Sequence, residues 1–97
     1  MHLVPYKRTK TFTETTVPAG LLKDHQTKAG VYGRIVVVSG TLILTRAATE
    51  ETLEATQTAV IAPQEIHSVW PVDAVSFYVE FCTESVQELE EDQTGEH

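Results

Sequence analysis

Imidazole is the commonest metal ligand near neutral pH, so His2, His25, His67 and His97 are the first residues to weigh. His2 and His97 stand at the ends of the sequence. His25 and His67 fall inside predicted strands or at their ends, 42 residues apart. Two imidazoles from different strands can meet in a barrel mouth. A carboxylate would then complete an N/O site for a divalent metal such as zinc, iron, nickel or manganese. Glu80 is the candidate carboxylate, on the polar face of an alternating strand. If that face lines a cavity, Glu80 points into it; if it meets solvent, Glu80 is an ordinary surface residue. The bland alternative for both histidines is a ring satisfied by hydrogen bonds.

Other chemistries find less support. Cys82 follows a strand, where a lone cysteine commonly acts as a small buried hydrophobe. G-x-S-x-G, P-loop and Rossmann glycine patterns are missing from the sequence, so no catalytic or cofactor-binding residue can be named. Trp70 and Tyr32 could wall a ligand, although core or interface packing explains them as well. Asp24 adjoins His25 and would point to the opposite face of the same strand, which makes it a poor partner for that ring.

The elements that must position these residues read as strands. Val31 to Ser39 is β-branched, Ser39-Gly40 interrupts it, and Thr41 to Arg46 resumes, a pattern that predicts a hairpin. Thr52 to Ile61 predicts one or two strands. His67 to Val72 begins another, which Pro71 should confine to an edge or an end. Val75, Phe77, Val79 and Phe81 point one way, and Ser76, Tyr78 and Glu80 the other. Tyr6 to Thr16 predicts an extended edge segment, Val17 to Gly20 a turn, and Leu21 to Thr27 a short strand. Ser85-Val86-Gln87-Glu88 has the form of a capping box, predicting a short C-terminal helix. Seven or eight short strands imply a closed or double-sheet all-β architecture, with a jelly roll and an immunoglobulin-like sandwich both open.

Composition bounds the function classes. The 97 residues carry 7 basic and 14 acidic side chains, a net charge of −7 with one cysteine, so no disulfide can form within the chain. Residues 1–83 are nearly neutral, and the acidity collects in the last fourteen positions. The division expected is a barrel over residues 1–84 and a short helix with an acidic tail over 85–97. Lys7, Arg8 and Lys10 form the one basic cluster, read as a solvated edge. Nothing supplies the clustered cations that neutralise phosphates, so nucleic acid and anionic membranes are poor partners. No apolar run reaches the ~20 residues of a membrane span, and the first residues lack a signal-peptide core, which predicts a cytoplasmic protein. A chain of this size with strand edges to cover is expected to form a homodimer.

The stretch from Pro18 to Tyr32 (PAGLLKDHQTKAGVY) and the block Ile61 to Val69 (IAPQEIHSV), followed by Asp73 and Phe77 to Cys82 (FYVEFC), resemble a small cupin-like family. That family includes the N-terminal domain of some tellurite-resistance TehB proteins and stand-alone YeaR-like proteins. With Gly40, the blocks fall in the family's order from about Val4 to Cys82. The resemblance implies a cupin-like jelly-roll β-barrel that holds a metal or small ligand through histidines of two motifs. His25 and His67 stand at such positions. The first motif is depleted, because no His-x-His pair follows and Gly33 stands where a ligating Glu is usual. The second has one residue fewer than usual between Pro63 and His67. TehB proteins join such a domain to a methyltransferase, whose glycine-rich motif this sequence does not contain.

These features predict a binding module associated with stress response, with His25, His67 and Glu80 as metal ligands and Arg34 able to attract an anion if it faces the cavity. The alternatives are a metal-dependent oxygenase or isomerase on the same scaffold, or an interaction domain whose histidines are structural.

Overall fold

In the computed structural model, residues 2–47 and 49–85 are described. They form six strands: β1 (Leu3–Arg8), β2 (Phe12–Thr13), β3 (Tyr32–Arg46), β4 (Thr49–Glu54), β5 (Thr58–Ile61) and β6 (His67–Glu84). All pairings are antiparallel. The order β1-β6-β3-β4 forms one path, with β2 added to β6 and β5 added to β3. The class is all-β and cupin-like, but the sheet does not close into the expected barrel. β1 and β4 remain terminal strands of the path.

The β3–β6 pair is the spine. Tyr32 pairs with Cys82 at one end and Arg46 with His67 at the other. The predicted hairpin at Ser39-Gly40 is instead a bend inside one long strand, and the chain reverses later, between Arg46 and Thr49. Register shifts mark the bend: Val38 is extra on β3, while Asp73 and Ala74 are extra opposite Gly40 and Thr41. Such bulges curve a sheet toward its core. Gly40 sits here at φ +81°, and a Cβ on it would collide with the Ala74 carbonyl. Pro71 is paired with Leu42 of β3 on one side in the first half of β6, where neither β1 nor β2 pairs on the other, so it stands at an edge as expected.

Alternation then sends every second side chain inward. Ile35 and Val37 of β3, Leu42 and Leu44 beyond the bend, and Phe77 of β6 are almost fully buried, with Ile61 joining from β5. Phe12 of β2 stacks on Phe77 at a tilt, ring centroids 5.7 Å apart. The face of Val75, Phe77 and Val79 is the buried one, as the alternation predicts, and Cys82 is fully buried. Between β2 and β3 the expected turn and strand are replaced by a short 3₁₀ turn (Ala19–Leu22) and a single bridge at His25. The C-terminal helix expected from the capping box lies outside the described residues, as does the acidic tail. No helix among the described residues is long and apolar enough to cross a membrane.

Candidate functional site

His25 and His67 meet through their backbones. The His25 amide donates to the His67 carbonyl at 2.7 Å, and the His67 amide donates back at 2.9 Å. Two residues that exchange both hydrogen bonds project their side chains from the same side of the ladder. The rings accordingly lie edge to face, with centroids 5.1 Å apart. Asp24, at φ +43°, turns the chain just before the bridge, a conformation that aspartate tolerates better than most residues.

Each ring has its own environment. His67 is buried, and its Nδ1 lies 3.1 Å from the Glu65 carbonyl, which can only accept. In the neutral ring the proton therefore sits on Nδ1, leaving Nε2 as an acceptor. His25 is half-buried, yet its Nδ1 is sealed from solvent without a hydrogen-bond partner. Burial, and then the neighbouring His67, lower the His25 pKa from its ordinary 6.5, so the ring is neutral at pH 7.

Both imidazoles line a cavity of about 240 Å³ inside the fold. Its other walls are mainly apolar: Phe12, Ile35, Ile61, Val69, Phe77 and Val79 come from four strands, and Leu21 from the 3₁₀ turn. Gly33 leaves part of the space open, because it presents no side chain there. Thr27, whose hydroxyl donates to the Val31 carbonyl at 2.7 Å, pins the loop that carries His25.

The third predicted ligand is elsewhere. Glu80 stands on the face of β6 opposite Val79 and Phe81, and accepts a 2.9 Å hydrogen bond from Arg34 of its cross-strand neighbour β3. Arg34 is thus held by a carboxylate on the outer face and does not enter the cavity. Trp70 is exposed and Tyr32 half-buried, and neither borders the cavity. Thr9, Phe12 and Leu21 border it without having been singled out by sequence; they lie on short or irregular segments with no periodic signal.

A curved antiparallel sheet around an apolar cavity with two facing imidazoles defines a cupin-like domain. Solved structures agree in fold. TehB from Haemophilus influenzae superposes with a TM-score of 0.79 at 20% identity, over 95% of this chain and 35% of that one. A protein from Escherichia coli strain K12 superposes at 0.77 with 25% identity, over 86% of this chain and 92% of that one. A cupin-2 domain protein from Shewanella frigidimarina follows at 0.54 and 16% identity, covering 80% and 64%. Residues 7–79 match the TehB-like domain, and the chain belongs to that family. It spans about a third of the Haemophilus TehB. Among curated proteins, none matches the sequence.

Cupin folds imply a metal, and the donor set can be weighed against one. Zinc sites use three or four protein ligands. Here two imidazoles converge, and among the described residues no group of three His, Cys, Asp or Glu side chains could hold an ion. The described residues therefore do not complete a metal centre.

Proposed function

We propose that this chain is a binding module that takes a small, largely apolar molecule into the cavity, with His25 and His67 as its polar contacts. The cavity carries the proposal: about 240 Å³ walled mainly by hydrocarbon, with two imidazoles on one side. A cavity of about 150 Å³ with such walls suffices for benzene, so a body of about six to nine carbons fits this one. Thermal melting with octan-1-ol tests it. Ligand at about 100 times its Kd stabilises the fold by about 2.7 kcal/mol, a rise of several degrees. No rise with a compound of this size would refute the cavity as a binding site.

Metal binding by the same pair is the second reading, and one observation favours it. The Glu65 carbonyl orients His67 through Nδ1, as outer-shell carbonyls do for ligating imidazoles. Elemental analysis of untagged protein decides: zinc, iron, nickel or manganese at one per chain, lost in His67→Ala, would make the ion the occupant. The stress-response setting follows from the resemblance to tellurite-resistance proteins. Growth on tellurite with and without the chain tests that part.

A further inference from the structure

A second hollow, of about 260 Å³, lies against the first, and His25, Thr27 and Phe81 line both. Those three side chains form a wall common to both, along which the apolar interior adjoins the outer space. The outer hollow has a different character. Tyr6 and Lys7 of β1 flank it on one side, and Gln26 and Lys28 of the loop before β3 on the other. It holds two cations and no carboxylate, in a chain with twice as many acidic as basic residues. Neither lysine is engaged in an ion pair among the described residues, whereas Arg34 and Arg46 are both paired. Lys7 is also the cross-strand neighbour of Phe81, which sets its backbone beside the common wall.

We infer that the ligand is a small amphipathic anion: its apolar body occupies the inner cavity, and its negatively charged head lies in the outer hollow between Lys7 and Lys28. It rests on the cavity-binding reading above and adds the sign of the head group. The two lysines supply charge and up to six N–H donors, and the Tyr6 hydroxyl and Gln26 amide can donate further hydrogen bonds. A cationic head would meet two like charges there, and a neutral one would gain no charge attraction from them. The lysines are exposed, so their effect is modest and salt-dependent.

Calorimetric titration with three eight-carbon probes tests the inference on the full chain. Octanoate should bind about fivefold more tightly than octan-1-ol at about 0.05 M salt, and octylammonium more weakly than either. The preference should shrink to within about twofold at about 0.5 M salt. In the double variant Lys7→Ala/Lys28→Ala, octanoate should fall to the affinity of octan-1-ol, which itself stays unchanged. Both substitutions lie on the surface, and a melting curve confirms that the variant is folded. Equal affinity of octanoate and octan-1-ol in the unaltered protein would overturn the anionic head and leave the cavity standing. Failure of all three probes would overturn the cavity reading together with the inference built on it.

Discussion

Gly33→Val should stabilise the fold and close the proposed binding site at once. Gly33 lies on β3 between Ile61 of β5 and Phe81 of β6, and it borders the inner cavity. A Cβ there would meet Ile61 Cβ and Thr27 Cγ2 at 3.7 Å each, ordinary contact distances. Valine adds three carbons to the cavity side, at about 0.8 kcal/mol per buried carbon group before ordering costs. Replacing glycine also narrows the unfolded ensemble, worth about 0.4–1 kcal/mol. A net gain of about 1–2 kcal/mol raises the melting temperature by about 5–10 °C in a domain of this size. The same three carbons take the room of three ligand carbons, so octan-1-ol should bind about 50-fold more weakly. Denaturant or thermal unfolding gives the first quantity and calorimetry the second. A fall in stability would mean that the space beside Gly33 is already filled. Unchanged octan-1-ol affinity would place the ligand somewhere other than this cavity.

Gly40→Ala should do the reverse of a filling substitution. The left-handed φ costs about 1–2 kcal/mol and the collision with Ala74 adds a backbone shift of similar size, so unfolding should show a loss of about 3 kcal/mol. His25 predicts a pH dependence. Its folded pKa lies below 6.5, so between those values the unfolded chain holds the extra proton and stability falls as pH is lowered through that window. His25→Gln should flatten that part of a stability–pH curve measured by denaturant melts; an unchanged slope would assign it to other groups. Glu80→Gln should cost about 1 kcal/mol or less, the worth of a partly exposed ion pair, and leave octan-1-ol binding and metal content unchanged. A loss of bound metal in that variant would return Glu80 to the site.

The strands that carry the core were legible because alternation is a local property. Val75, Phe77 and Val79 had to share a face whatever they packed against, and that face is buried. The bend at Gly40 was not legible. A Ser-Gly pair between two β-branched runs fits a hairpin, and only the pairing with β6, where Asp73 and Ala74 are extra, shows that the strand continues through it. Pro71 was legible for the opposite reason. Proline cannot donate to a ladder, and the first half of β6 is an edge, with β3 on one side and only the His25 bridge named on the other, so its missing N–H can lie on the side away from β3.

The candidate site divides along the same line. Residue type and spacing selected His25 and His67, and one backbone bridge across 42 residues puts their rings 5.1 Å apart. Glu80 was selected on the face opposite Phe77 and Val79, and that parity decided against it. Once those side chains turned toward the cavity, Glu80 had to turn away, and Arg34 at the neighbouring position of β3 met it there. What parity cannot show is the space between the elements. Leu21 and Phe12 come from a 3₁₀ turn and a two-residue strand, too short for any period, yet they help wall the cavity. Lys28 had even less to mark it, since a lysine beside a glycine turn looks like any solvated loop. It acquires meaning from Lys7, which the β1–β6 pairing holds next to Phe81 on the wall shared with His25. The proposed site thus depends on contacts between distant segments, while the strands that bring them together are written locally.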